Sequence, residues 1–399
     1  MNLSIEQIYL RIILLFPIFT LFQSHFSQVN RVLFGILVFF QVVLLFKRKV
    51  WKKFCLVLIF VSCLEIYAFF QTKLPLYSTN DVFYFPFFVV YAIYFISERD
   101  SLVASLYKER TYVKGIVIIW SILIFVSIFL SSSYYSKWGG RYFQSFTDST
   151  FRLGSSALFI LVLVYGMMVM EKNKNFFLFS FLPMFCFLAG GSRTYFVLGA
   201  ALFLIIWARF VDSTKDFIIS IIPVALIGGV FVLNSSIMEK FLSTMYTSES
   251  YFDKIGTITN SRTVFWLKDL EAFLNSGFVE KLLGNGFNFI YEVNNEAVGT
   301  YIWAHNDFIQ LLITYGVAGL FLYVYLMTLL FRRYRLVPKF SWSIAIAVFL
   351  WLFNATFNMY YTYFCSLLSL PILLAFYFGF KKRKVKSDKS EEKNSVKIE

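Results

Sequence analysis

Apolar stretches recur from one end of this chain to the other. At roughly 17–25 residues each is long enough to cross ~30 Å of hydrocarbon as a helix. In lipid every backbone N–H and C=O must be satisfied within the segment itself, so runs of this length have one fold open to them, the α-helix. Composition agrees. The 399 residues are 59% hydrophobic and 15% charged, whereas soluble domains carry roughly 25% charged residues. Twelve spans are predicted, at about residues 7–23, 30–46, 54–70, 81–97, 113–131, 151–170, 176–190, 194–210, 217–233, 306–331, 340–357 and 361–380. The first run lacks a basic start and a small-residue cleavage site, so it reads as a span and not as a cleaved signal peptide. The expected fold class is an all-α polytopic membrane protein: a single integral membrane domain over 1–380, with a large, partly helical external loop at 234–305 before the tenth span. The lysine-rich segment 381–399 has no apolar periodicity and reads as a disordered basic tail.

A net charge of +14 would suggest nucleic acid in a soluble protein; the distribution of the charge argues for membrane topology instead. Alternate connections hold most of the Lys and Arg: Lys47-Arg48-Lys49 with Lys52 and Lys53; Arg99, Lys108, Arg110 and Lys114; Lys172 and Lys174; Arg209 and Lys215; Arg332, Arg333, Arg335 and Lys339; and the tail from Lys381. Under the positive-inside rule these are cytoplasmic, and so are both termini. No nucleic acid is implied, and the tail can also attract anionic lipid. The other connections then face outward, and 234–305 is the largest of them. The four cysteines, Cys55, Cys63, Cys186 and Cys365, fall inside apolar runs and act as small hydrophobes; neither a disulfide nor a zinc site is expected.

Within the large loop, SRTVFWLKDLEAFLNSG reads as one amphipathic helix lying on the membrane surface. Ser261 is its N-cap and Gly277 its stop, and Trp266, Leu270, Phe273 and Leu274 share a face. The loop then makes a close turn at Gly284-Asn285-Gly286 and crosses His305, one of only two histidines, before an apolar helix carrying Gly316 and Gly319. These two glycines fit close helix contact. Arg193, in a tight turn between two spans, joins Arg262, His305 and Arg141 on the outward side. Arginines suit bidentate phosphate binding and histidine takes a proton near neutral pH, so the group suggests an anionic headgroup site beside one acid–base residue. The residue types leave plainer readings open, in which the arginines snorkel as interfacial anchors and the histidine caps a helix.

The stretch GNGF…HNDFIQLLITYGVAGL resembles the signature region of the O-antigen ligase and O-antigen polymerase superfamily, in which a Gly-x-Gly turn precedes a His-Asn or His-Ser pair and a helix ending in Gly-x-x-Gly. Ser261-Arg262…Trp266 is similar to the arginine-bearing element that opens that family's external loop, and Ser192-Arg193-Thr194 to its Ser-Arg-Thr turn. Gly140-Arg141-Tyr142…Phe146 is a looser match: the family's segment often ends in an Asn-bearing turn, and this chain has Asp148-Ser149-Thr150. The signature region covers 261–320, and the pattern of spans around one late, large loop covers nearly the whole chain.

The resemblance implies a membrane-embedded glycosyltransferase of the GT-C type in the bacterial cytoplasmic membrane, working on its outer face without a cofactor. Its donor would be a glycan on undecaprenyl pyrophosphate and its acceptor a glycan or another lipid-linked unit, with other envelope polysaccharide assembly proteins as partners. Pyrophosphate is already a good leaving group, and no Asp-x-Asp metal motif occurs in the chain. The expected mechanism is therefore inverting and metal-independent, with Arg193 and Arg262 on the pyrophosphate and His305 as base for the acceptor hydroxyl. Asp307, Glu292 and Glu296 stand as substitutes for the base. Arg141, Gly284, Gly286, Asn306, Asp307, Glu292 and Glu296 complete the candidate substrate-binding set. A polymerase is preferred over a ligase to lipid A core on breadth of occurrence alone. Outside this class, a polysaccharide flippase would show internal pseudo-symmetry that one late seventy-residue loop interrupts, and a structural scaffold would not need the histidine and arginines on one side.

Overall fold

The computed structural model describes residues 4–23, 27–137, 140–171, 173–211, 213–233, 235, 238, 262–335 and 342–395. Ser261, read as an N-cap, and most of the first half of the loop 234–305 lie outside the described residues, as does His25. The described chain is helical almost throughout: α1 (Ile5–Leu21), α2 (Ser27–Lys47), α3 (Trp51–Gln71), α4 (Asp81–Ser97), α5 (Arg99–Lys108), α6 (Arg110–Ile128), α7 (Thr150–Glu171), α8 (Phe181–Gly190), α9 (Arg193–Phe210), α10 (Thr214–Leu233), α11 (Arg262–Asn275), α12 (Phe278–Leu283), α13 (Phe289–Val298), α14 (Asp307–Tyr334), α15 (Trp342–Phe357) and α16 (Phe364–Ser395). Among the described residues, α3, α6, α7, α9 and α14 are by themselves long and apolar enough to cross a membrane, and α4 with α5 passes as a broken pair bent by 80°. This is an all-α membrane protein.

Helix α7 is the axis. Every residue of its apolar stretch is buried inside the protein, and α1, α6, α8, α9 and α16 pack around it. Small residues make that approach possible. A Cβ on Gly154 would enter the ring of Tyr195, and one on Gly166 the ring of Phe376. Ser156 serves as a polar pin: it accepts from Trp120 Nε1 at 2.8 Å and donates to the Pro17 carbonyl at 2.8 Å. Where there is no water to compete, such bonds tie helices together.

The bundle has two chemically distinct ends. At one, the basic connections meet. Arg48 pairs with Glu6 at 3.1 Å and Glu98 at 2.5 Å, Arg11 with Glu109 at 2.8 Å, and Arg99 donates to the Arg333 carbonyl at 2.7 Å. Helix α5 lies in this region, inside a connection the sequence reads as loop. At the opposite end, the connection between α3 and α4 is tied to the segment before α13: Asn288 donates to the carbonyls of Lys73 (2.5 Å) and Pro75 (2.9 Å) and accepts from the Tyr77 amide at 3.0 Å. A short antiparallel hairpin, β1 (Tyr134–Lys137) with β2 (Gly140–Phe143), occupies the connection before α7 and pairs Ser136 with Arg141.

Two local features differ from the sequence reading. Helix α16 runs on to Ser395, through most of the segment 381–399 read as disordered. Lys and Glu extend a helix readily once a packed span has nucleated it. Helix α11 is amphipathic, but its inward face carries Phe265 and Asp269, while Leu270 is 38% and Leu274 67% exposed. The rotation is set by Arg262 and Trp266, whose side chains are anchored inward, and Leu267, Leu270 and Leu274 are left facing out.

Helix α14 is broken at Gly316, where φ is 66° and ψ −167°. The break frees carbonyls of the preceding turn, and the Asn285 amide donates to the Ile313 carbonyl at 2.8 Å. Gly284 lies against the Thr314–Tyr315 backbone and Gly316 against the Leu282–Leu283 backbone, so that a Cβ on either would strike main chain. Both have positive φ, which only glycine adopts without cost. The Gly-x-Gly turn and the broken helix are thus two halves of one joint.

Candidate functional site

The joint holds the segment that carries His305. Ala304 donates its amide to Gln310 Oε1 at 3.2 Å, and Asn306 caps α14 by accepting from the amides of Phe308 (2.9 Å) and Ile309 (3.2 Å). Between these anchors His305 takes φ 51°, a left-handed conformation uncommon for a side-chain-bearing residue. Its Nδ1 is buried with no hydrogen-bond partner among the described residues. Trp266 Nε1 donates to the Ala304 carbonyl at 2.5 Å, fastening α11 to the same segment. One turn earlier, Arg262 donates to the Phe357 carbonyl at the end of α15.

Electrostatics connect the parts. Burial lowers the His305 imidazole to about 3, and the Arg262 guanidinium pushes the same way. Burial lowers Arg262 to about 10; Tyr363 works against this and Arg193 adds to it. Arg262 is therefore charged at neutral pH while His305 is neutral and able to accept a proton. Tyr363, in the connection between α15 and α16, is pushed up by burial and held back by both Arg262 and Arg152. Arg193 opens α9 two residues after Gly191, whose left-handed φ of 65° ends α8, with Ser192 between them at the N-cap position, and Tyr142 of β2 lies within its electrostatic reach. Arg152, Arg193 and Arg262 are thus grouped at one end of the bundle, with His305 beside Arg262.

The other candidates occupy different positions. Arg141 is exposed and sits over the Tyr134 ring at 4.3 Å. Successive residues of a strand point to opposite sides, and the one facing Arg193 is its neighbour Tyr142. Arg152, which the sequence reading passed over, stands at the head of a span as Arg193 does and is held by Asp148 at 2.7 and 2.8 Å. Asp307 is fully buried in the bundle, where Tyr323 donates to its Oδ2 at 2.6 Å. Glu292 faces Tyr77 and Glu296 is exposed, both on α13. Gly284 and Gly286 make close backbone contacts, and Asn306 serves as a helix cap.

Next to the arginines lies a crevice of opposite character. Asp81, Tyr84, Gln310, Thr314, Tyr361 and Thr362 line a space of about 10 Å³, the size of one water. Asp81 accepts from Tyr291 at 2.6 Å. Tyr84 borders both regions, feeling Asp81 on one side and Tyr363 and Arg152 on the other. Its ring meets that of Trp303, two residues before His305, edge-on at 6.0 Å. Cationic and acidic, tyrosine-lined halves therefore adjoin at one place.

A family model described as O-antigen ligase matches residues 176–324. Residues 176–324 carry an O-antigen ligase domain, which supports the resemblance to the O-antigen ligase and polymerase superfamily. The matched O-antigen ligase region takes in Arg193, Arg262, the Gly284–Gly316 joint and His305, and leaves Arg152 and Asp81 in the preceding part. No curated protein matches the chain.

One buried acid in the O-antigen ligase region has no part in this cluster. Asp269 of α11 is fully buried, and neither carboxylate oxygen has a hydrogen-bond partner among the described residues. Burial raises it from 3.8 to about 8. The folded state keeps its proton where the unfolded chain has lost it, so this group's contribution to stability is complete below about pH 4 and disappears as pH rises through 8. Asp269→Asn, which cannot ionise, should melt progressively higher than the native protein as pH increases from 4 to 8, with the gap constant above that. Thermal unfolding of the detergent-solubilised pair across this range checks it; a gap independent of pH would refute it.

Proposed function

We propose that this protein polymerises lipid-linked oligosaccharide repeat units, transferring glycan from undecaprenyl pyrophosphate on the outer face of the bacterial cytoplasmic membrane. The chain crosses the membrane about twelve times, with the basic connections and both termini in the cytoplasm. The observation that carries the reading is the grouping of Arg152 and Arg262 about Tyr363, with Arg193 within electrostatic reach of Arg262 and neutral His305 beside Arg262. Fixed cations are suited to the charge that develops on pyrophosphate as the glycosidic bond breaks, and in a site shielded from water they act strongly.

The acceptor hydroxyl oxygen attacks the anomeric carbon from the face opposite the pyrophosphate, so the configuration inverts. The bond between that carbon and the phosphate oxygen breaks and its electrons leave on undecaprenyl pyrophosphate. The hydroxyl proton passes to His305. The leaving group needs no protonation and the arginines supply the counter-charge, which supports a metal-independent step. Asp81, Tyr84 and Gln310 offer acceptors and donors for sugar hydroxyls on the side away from the arginines.

The family description favours a second reading, in which the same chemistry delivers the finished glycan to lipid A core or another acceptor. One experiment addresses both. The purified protein, reconstituted in liposomes with an undecaprenyl-pyrophosphate repeat unit as both donor and acceptor, should yield lipid-linked oligomers. Single units retained here but consumed when lipid A core is supplied would establish the ligase instead, and no transfer to either would defeat the enzyme reading. In the same assay Arg262→Ala should lose roughly tens- to a thousand-fold in rate, the range for removing one transition-state charge contact. Arg152→Ala should also lose rate, with Arg141→Ala close to native.

A further inference from the structure

The end of the bundle opposite the arginine–histidine cluster contains a cavity of about 170 Å³, lined by Met168, Val169, Lys174, Arg209 and Phe380. Met168 and Val169 belong to the last turns of α7, Arg209 to the last turn of α9, and Lys174 opens the short turn leading to α8. Arg209 is held in place by the Phe380 ring, 4.2 Å beneath its guanidinium. Two residues along α16, Phe378 lies 3.9 Å beneath Arg99, which places the cavity among the basic connections.

We propose that this cavity is a specific site for the headgroup of an anionic phospholipid in the leaflet at the basic end of the bundle. Its walls divide as such a molecule does. Lys174 and Arg209 present a point charge and a planar fork to a phosphate diester, whose single negative charge they can match. Met168, Val169 and Phe380 are apolar, and the unbranched Met168 side chain and flat Phe380 ring can lie along the first carbons of acyl chains. A free phosphate would satisfy the cations and leave these walls wet; a zwitterionic lipid would bring its own cation towards Arg209. Basic pockets between spanning helices recognise anionic lipid in this way. The site shares no residue with the proposed transfer chemistry, so its occupancy can be measured whether or not that reading holds.

The test is lipid retention by the full-length protein. Delipidated protein in detergent, titrated separately with phosphatidylglycerol and phosphatidylcholine and examined by native mass spectrometry, should hold phosphatidylglycerol roughly tenfold or more tightly, the scale of two basic side chains at an anionic lipid. Lys174→Gln with Arg209→Gln should abolish that preference, and Lys174→Arg with Arg209→Lys, which keeps both charges, should preserve it. Equal retention of the two lipids by the native protein would overturn the proposal without recourse to any variant. So would a preference unchanged in the double glutamine variant, or displacement of phosphatidylglycerol by millimolar inorganic phosphate, which would make the site one for a free anion.

Discussion

His305→Ala is expected to lower the rate of glycan transfer by about 10²- to 10⁴-fold, the range for losing a positioned general base, with near-normal abundance in the membrane. Abundance should hold because the ring is partly buried and its Nδ1 makes no hydrogen bond among the described residues, so little packing is lost. Backbone strain can be separated from chemistry at the same position: at φ 51° glycine is at ease where alanine is not. If the imidazole matters as a base, His305→Gly should be as inactive as His305→Ala although better tolerated. The pH profile carries a further signature. In the free protein the imidazole is lowered to about 3 by burial and by Arg262, so kcat/KM should show no acid limb from this group between pH 8 and 5. Bound pyrophosphate would offset Arg262 and move the group upward, so any such limb should emerge in kcat alone. Native rates from His305→Ala at normal abundance would remove the base assignment.

Gly284→Ala should be the most damaging single substitution outside the charged cluster, and it should act on folding. A methyl group there meets the Thr314 carbonyl, and the φ of +97° is unfavourable for any L side chain. The neighbour is main chain within a spanning helix, so it has no easy rotamer escape, and overpacking of this kind costs about 1–3 kcal/mol or more. Gly316→Ala should behave alike through Leu282. The two glycines are opposite faces of one contact, so the double variant should cost far less than the sum of the singles. Detergent-extracted yield and melting temperature of the three variants measure this; strict additivity, or a Gly284→Ala protein of native stability, would show that the turn and the helix are not joined as described.

Much of the architecture was legible because a span announces itself by length and apolarity without knowledge of its neighbours. The prominence of Arg193, Arg262 and His305 followed from the same simplicity: each is a polar side chain at the head of a span or external helix. The rest depended on information that a linear pattern does not hold. Arg141 and Tyr142 are adjacent, and which of them faces Arg193 depends on a hairpin that was not foreseen. Arg152 satisfied the same criterion as Arg193 and could have been found by applying it evenly. Asp269 is hidden from a linear reading because apolar periodicity alone turns α11 the wrong way, whereas Arg262 and Trp266 set its orientation through hydrogen bonds to distant carbonyls. Gly284, Gly286 and Asn306 drew attention as ligand contacts, and in the structure they hold backbone in place.

The hairpin before α7 has an implication for how such a site can change. With Ser136 paired to Arg141 and Tyr135 to Tyr142, the parity of the ribbon decides whether a phenol or a guanidinium is turned towards Arg193. Moving the register by one residue would exchange them and add a fourth positive group without altering any amino acid near the histidine. A single inserted or deleted residue in the β1–β2 turn could therefore retune the affinity for an anionic carrier, leaving the spanning helices untouched.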